Sequence, residues 1–167
     1  IGKALARRAK AFGMTIAYSN RKPVSPQIEA ELGAQFMSQE ELLTTSDVVS
    51  LNCPYSPATH HLMSTAQFHT MRPTAFLVNT ARGPIVDEAA LVEALQTGQI
   101  AGAGLDVFEH EPAVHPGLLE CDNAVLIPHL GSATQETRAA MARLAAHNAV
   151  NVLAGVEPPT PIPVPAS

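Results

Sequence analysis

Residues 75–107 read AFLVNTARGPIVDEAALVEALQTGQIAGAGLDV. Ala75 to Asn79 is a short apolar run, which predicts a buried strand. Arg82-Gly83-Pro84 then makes a turn. Asp87 is placed to cap a helix that carries Leu91, Ala94 and Leu95 at helical spacing and stops at Gly98. Ala101 to Val107 is again small and apolar. The order is strand, turn, helix, strand, and the same alternation continues on both sides.

Upstream, residues 2–12 place Leu5, Ala9 and Phe12 at helical spacing before Gly13, and Met14 to Tyr18 reads as a strand. Ser19 to Pro23 is a loop, in which Pro23 and Pro26 argue against regular structure. Ile28 to Leu32 predicts a short helix ending at Gly33, and Ala34 to Met37 a short strand. Ser38 with Glu41, and Ser64 with Gln67, form capping boxes that open further helices. Between them Asp47 to Asn52 is a strand ended by Cys53-Pro54. Downstream, Ala124 to Ile127 is one more strand, and Thr134 to Leu153 an Ala-rich helix before Gly155. Most of these strands lack a polar face, which implies an α/β fold with a parallel sheet covered on both sides.

Composition agrees with one domain and a tail. The 167 residues are 46% apolar and 15% charged, enough for a core and too little charge for a disordered chain. The domain is expected over residues 1–157, with a Pro-rich tail over 158–167 that suits a polyproline-like terminus or linker. A net charge of −5 argues against nucleic acid or an anionic membrane as partner. The N-terminal residues stay charged through Arg7, Arg8 and Lys10, unlike a secretory signal. Cys53 and Cys121 lie far apart, without C-x-x-C spacing. An intracellular, cytoplasmic protein is the expectation. Ile1-Gly2 passes at once into a helical pattern, which suggests part of a longer protein.

In a parallel α/β sheet, ligands bind beyond the carboxyl ends of the strands. The residues there are Ser19-Asn20-Arg21, Cys53-Pro54, Thr80-Ala81-Arg82, Asp106 and His129, expected along one edge of one sheet. Arg82 follows a buried strand and precedes a glycine that lets backbone approach a ligand. Its guanidinium suits bidentate binding of a carboxylate, although a solvated turn arginine would look the same. His129 follows Pro128 and precedes Leu130-Gly131-Ser132, whose backbone and hydroxyl groups could meet a ligand. It is a candidate proton donor and acceptor. A carboxylate beside a histidine favours its charged form, and both Glu109 and Glu111 fit that task. His110 and His115 lack an obvious third ligand, so no metal is expected. Gly2 opens a helix whose N-terminus suits a phosphate. The Ser19-Asn20-Arg21-Lys22 loop holds no acid of the kind that binds an NAD ribose. Its hydroxyl, amide and two cations suit a 2′-phosphate.

These motifs together resemble the NAD(P)-binding domain of the D-isomer-specific 2-hydroxyacid dehydrogenases, from Gly2 to about Pro161. Ile1 to Met14 is similar to the end of the family's glycine fingerprint and its helix. Val78-Asn79-Thr80-Ala81-Arg82-Gly83 resembles the segment of the catalytic Arg, and Gly104 to Pro112 that of the catalytic Glu. Pro128 to Thr134 resembles the segment of the catalytic His. The family's Glu directly precedes the Pro, which points to Glu111. The loop at residues 19–23 is most similar to the NADP-preferring glyoxylate/hydroxypyruvate reductases.

The resemblance implies a Rossmann-like doubly wound parallel sheet whose first strand, with the substrate domain, is missing from this chain. It implies NADP as cofactor, with NAD the alternative, and a homodimer. Pro54 and Thr80 would contact the cofactor, and Asp106 and Ser132 its carboxamide. The implied activity is hydride transfer from NADPH to a small 2-oxo acid. Arg82 would hold the carboxylate, His129 would give the proton, and Glu111 would keep His129 protonated. A corepressor-like, nicotinamide-dependent binding module and an inactive fragment are the alternatives.

Overall fold

The computed structural model describes residues 1–162. Residues 163–167 of the Pro-rich tail lie outside the described residues. The elements run α1 (Gly2–Ala11), β1 (Ile16–Tyr18), α2 (Pro26–Leu32), β2 (Ala34–Phe36), α3 (Gln39–Thr45), β3 (Val48–Leu51) and α4 (Thr65–Thr70). They continue with β4 (Phe76–Asn79), α5 (Glu88–Gln96), β5 (Gly102–Leu105), α6 (Pro116–Leu119), β6 (Ala124–Leu126) and α7 (Gln135–Leu153). Residues 1–128 form one compact unit, and the residues from His129 onward form another.

Helix starts follow the capping chemistry. The Ser38 hydroxyl accepts from the Glu41 N–H while the Glu41 carboxylate accepts from the Ser38 N–H, so α3 opens on a complete capping box. The Ser38 hydroxyl also donates to the Glu41 carboxylate at 2.7 Å, and that bond, with the one from the Ser38 N–H, holds the Glu41 carboxyl below its usual pKa. Asp87 opens α5 by accepting from the Ala90 N–H, and Thr134 opens α7 by accepting from the Thr137 N–H. Pro26 corrects the expectation drawn from it. It does not exclude regular structure but starts α2, because the first helical position needs no N–H and its fixed φ is already helical. The single turn α6 shows no periodicity that a sequence could display. The ring of His115 accepts from the Gly117 N–H and caps it.

Every strand pairing in the two sheets is parallel, as expected. Pairing divides the strands into a two-stranded sheet, β1-β2, and a four-stranded sheet, β3-β4-β5-β6. The expected single sheet edge is therefore two edges. Apolar periodicity assigns strands but not their partners, since pairing is a long-range choice. The core lies on one face of the larger sheet. Val49 and Leu51 of β3, Leu77 of β4 and Leu105 of β5 pack with Phe68 of α4 and with Leu91 and Leu95 of α5. Ile85, Leu77, Leu91 and Ile100 are fully buried, each contributing roughly 1.5–3 kcal/mol of transfer free energy. The other face is less covered than its apolar character suggests. Val48 remains 42% exposed and Phe76 49% exposed.

In the second unit, the chain after α7 is tied back to the helix. Asn148 exchanges two hydrogen bonds with Thr160, side chain to hydroxyl at 2.8 Å and backbone N–H to amide oxygen at 3.1 Å. The Asn151 amide donates to the Glu157 carbonyl. Residues 158–162 take neither helix nor strand, in line with the missing N–H groups of their prolines.

Candidate active site

The register of the larger sheet aligns Leu51, Asn79, Leu105 and Leu126 in one row across its four strands. The next residues, Asn52, Thr80, Asp106 and Ile127, therefore leave the sheet along one edge. The Asp106 N–H donates to the Asn79 carbonyl at 3.0 Å, which carries the pairing one step past the strand end. Asp106 is buried, whereas Thr80 and Pro54 are exposed. The first turn of α1 opens at the same edge. A Cβ on Gly2 would lie 3.4 Å from the Asn52 Cβ.

Arg82 is exposed at the end of a turn built by Asn79. The Asn79 side chain is 1% exposed, yet both ends of its amide are satisfied. Its oxygen accepts from the Ala81 N–H at 3.0 Å, and its nitrogen donates to the Arg82 carbonyl at 2.9 Å. The Arg82 guanidinium donates to the Ala81 carbonyl at 2.6 Å. Asn79 is thus a structural determinant of where Arg82 stands. The sequence signal for it is an amide at the buried end of an apolar run. At Gly83 the missing side chain has a second reason, because the protein's own backbone fills the space where a Cβ would sit. A Cβ there would lie 1.9 Å from both the carbonyl carbon and oxygen of Phe108.

That contact brings the Arg82 turn against the loop from Asp106 to Pro112. Glu111 is exposed in this loop, and one of its oxygens accepts from the Phe108 N–H at 3.1 Å. Glu109 faces elsewhere. Its Oε1 accepts from Nε2 of His61 at 2.7 Å, and its backbone N–H donates to the carboxylate of the buried Glu88 at 2.8 Å. The structure thus separates the two carboxylates that spacing left equivalent. His61, Glu88 and Glu109 were not legible as a set because they lie far apart in the chain.

Ser19, Asn20, Arg21 and Lys22 are all exposed and follow β1, on the smaller sheet. The Tyr18 hydroxyl closes this loop, accepting from the Val24 N–H and donating to Glu29. Loss of solvation together with that donated bond raises the Tyr18 pKa. Two cations without a carboxylate form a donor set that fits a phosphate monoester, and the first turn of α1 holds no acidic residue. Cys53, next to Pro54, has its thiol pushed up by burial, which makes it a poor nucleophile at neutral pH. His129, Gly131 and Ser132 belong to the second unit. Ser132 is half-buried there, and His129 holds a positive φ of 52°.

Asp87 carries a testable pH dependence. Burial pushes its pKa up, but bonds from the Ala90 N–H and the Ser64 hydroxyl, with the His61 ring nearby, hold it below the ordinary carboxylate value. A depressed folded pKa stabilises the protein above the unfolded value of about 4, and that stabilisation is lost as pH falls through the folded value. Asp87→Ala is expected to cost about 1–2 kcal/mol near pH 7. The difference from wild type should shrink as denaturation is repeated toward pH 3. A cost independent of pH would show that Asp87 acts by packing alone.

Residues 1–131 match the family described as D-isomer specific 2-hydroxyacid dehydrogenase, NAD binding domain. A glyoxylate reductase of Thermococcus onnurineus is 52% identical over 160 residues, covering 96% of this chain and 48% of that protein. A glyoxylate reductase of Pyrococcus furiosus is 51% identical, covering 96% and 47%. The chain thus spans about half the length of the curated relatives it matches. Among solved structures, a glyoxylate reductase from Paecilomyes thermophila superposes with a TM-score of 0.86 at 44% identity, over 98% of this chain and 49% of that one. An NADPH-dependent glyoxylate/hydroxypyruvate reductase from Sinorhizobium meliloti, in complex with NADP and malonate, does so at 0.88 and 40%, over 97% and 50%. With its parallel α/β architecture and the match over residues 1–131, this chain belongs to the NAD-binding domain family of the D-isomer specific 2-hydroxyacid dehydrogenases.

Proposed function

We propose that the full-length protein reduces a small 2-oxo acid, of the glyoxylate or hydroxypyruvate type, to the D-2-hydroxy acid, with NADPH preferred over NADH. The observation that carries this reading is the contact of Gly83 with Phe108 and Glu109, in a chain of this family. It holds the segments of Arg82 and Glu111 together at the edge where the strands end. The names of the related reductases support the substrate class.

When bound, the nicotinamide supplies the hydride that reaches the carbonyl carbon. Arg82 pairs with the substrate carboxylate and polarises the adjacent carbonyl. By the family resemblance His129 would give the proton to the developing alkoxide, and Glu111 would be the carboxylate that serves it. Arg21 and Lys22, with Ser19 and Asn20, would hold the 2′-phosphate. The first turn of α1 at Gly2 would receive the pyrophosphate, and Pro54, Thr80, Asp106, Gly131 and Ser132 would make the remaining cofactor contacts.

Steady-state kinetics of the full-length protein with glyoxylate and hydroxypyruvate test the reading. Turnover with a higher kcat/KM for NADPH than for NADH is expected. Arg21→Ala should lower kcat/KM for NADPH about tenfold, the worth of one exposed charge-assisted contact, and leave NADH unaffected. A native preference for NADH would refute the phosphate assignment. Cofactor binding without turnover of any 2-oxo acid would instead favour a binding module.

A further inference from the structure

Among the described residues, two that are not glycine hold a positive φ, His129 and His61, the latter at 49°. A side chain kept in that conformation is held by its surroundings. Around His61 the contacts reach three segments. Its backbone N–H donates to the Pro84 carbonyl at 2.9 Å, two residues after Arg82. Its Nε2 lies 2.7 Å from Oε1 of Glu109, two residues before Glu111. A carboxylate only accepts, so Nε2 carries the hydrogen. Nδ1 faces the Asp87 carboxylate at 3.9 Å, and the ring stacks on His60 at 3.9 Å. Behind Glu109, its N–H donates to the Glu88 carboxylate, while the Glu88 N–H points back to Glu109 Oε2 at 3.4 Å.

We propose that His61 is a positioning residue for the reaction, tying the Arg82 segment to the Glu111 loop through its backbone bond to Pro84 and its ring bond to Glu109. This rests on the reading under Proposed function, which assigns the reaction to Arg82 and Glu111. Glu109 is then the hinge pin of the Glu111 loop. His61 holds it from one side and Glu88 from the other, and the Phe108 N–H completes the loop by donating to Glu111 itself. The ring bond is solvent-adjacent, since the His61 side chain is 34% exposed, and it can be removed without opening the core.

The test is His61→Gly in the full-length protein. Glycine accepts the positive φ and keeps the N–H that binds Pro84, so the fold is preserved while the ring bond is lost. The expected result is a five- to twentyfold lower kcat with glyoxylate and an unchanged KM for NADPH. A kcat within twofold of wild type in a folded His61→Gly protein overturns the proposal. Should that variant fail to fold, Glu109→Ala tests the same link from the other end. A similar loss of kcat supports it, and a kcat within twofold overturns it. If the wild type reduces no 2-oxo acid, the functional reading fails separately. Amide exchange then decides the link. Exchange at Phe108 and Glu109 at least tenfold faster in His61→Gly supports it, and unchanged exchange overturns it.

Discussion

His129→Gln in the full-length protein is expected to lower kcat for 2-oxo acid reduction by about 10²–10⁴-fold, the usual worth of a positioned general acid. Glutamine keeps a polar side chain of similar reach but cannot carry a transferable proton near neutral pH. His129 is exposed, so the substitution opens no cavity. Its φ of 52° adds one cost. Histidine is among the residues enriched in that region, and glutamine is not, so about 1 kcal/mol of backbone strain is added. His129→Asn removes this ambiguity, because asparagine tolerates the left-handed region and equally lacks the proton. Both variants should bind NADPH as the wild type does, measured by fluorescence titration, while turnover collapses. Near wild-type turnover in either would end the assignment of His129 as proton donor.

Gly83→Ala is expected to be the most damaging change to the architecture of the site. The added Cβ would meet the Phe108 carbonyl at 1.9 Å and the Glu109 nitrogen at 2.5 Å. Both obstacles are backbone, so no side chain can rotate away, and the two segments must move apart. Overpacking of this kind costs about 1–3 kcal/mol and sometimes more. A displacement near 1 Å at a catalytic segment can cost about 10²-fold in rate. A fall in Tm together with such a loss in kcat is the expected result. Gly98→Ala supplies the contrast. Gly98 has a φ of 70° and nothing within 4 Å of its Cβ position, so alanine there meets strain but no obstacle. It should cost about 1 kcal/mol and leave the kinetics alone. Equal kinetics in the two variants would show that the Gly83 contact does not organise the site.

Local chemistry made much of the architecture legible. The capping box at Ser38 and Glu41, the cap at Asp87 and the glycine stops depend on neighbours in the chain, and each occurs where expected. Strand positions followed from apolar runs, and strand ends nominated Thr80, Arg82 and Asp106 because a parallel sheet exposes its carboxyl edge. The family resemblance points to Glu111 over Glu109, and the structure adds where each carboxylate makes its contacts. Glu109 is engaged by His61 and Glu88, while Glu111 folds back on the Phe108 N–H. Pro26 departs from the expectation because proline breaks helix interiors yet suits helix starts, a distinction that needs the boundary to be known first.

By itself the sequence determined the order of elements, their caps and the residues that leave the strand ends, since these depend on contacts within a few positions. Only the tertiary structure decided which strands share a sheet, why position 83 must be glycine, and how His61 reaches Glu109 across 48 residues. Those features depend on segments that meet in space, and the period of a chain holds no information about which distant backbone will fill the space beside a missing side chain.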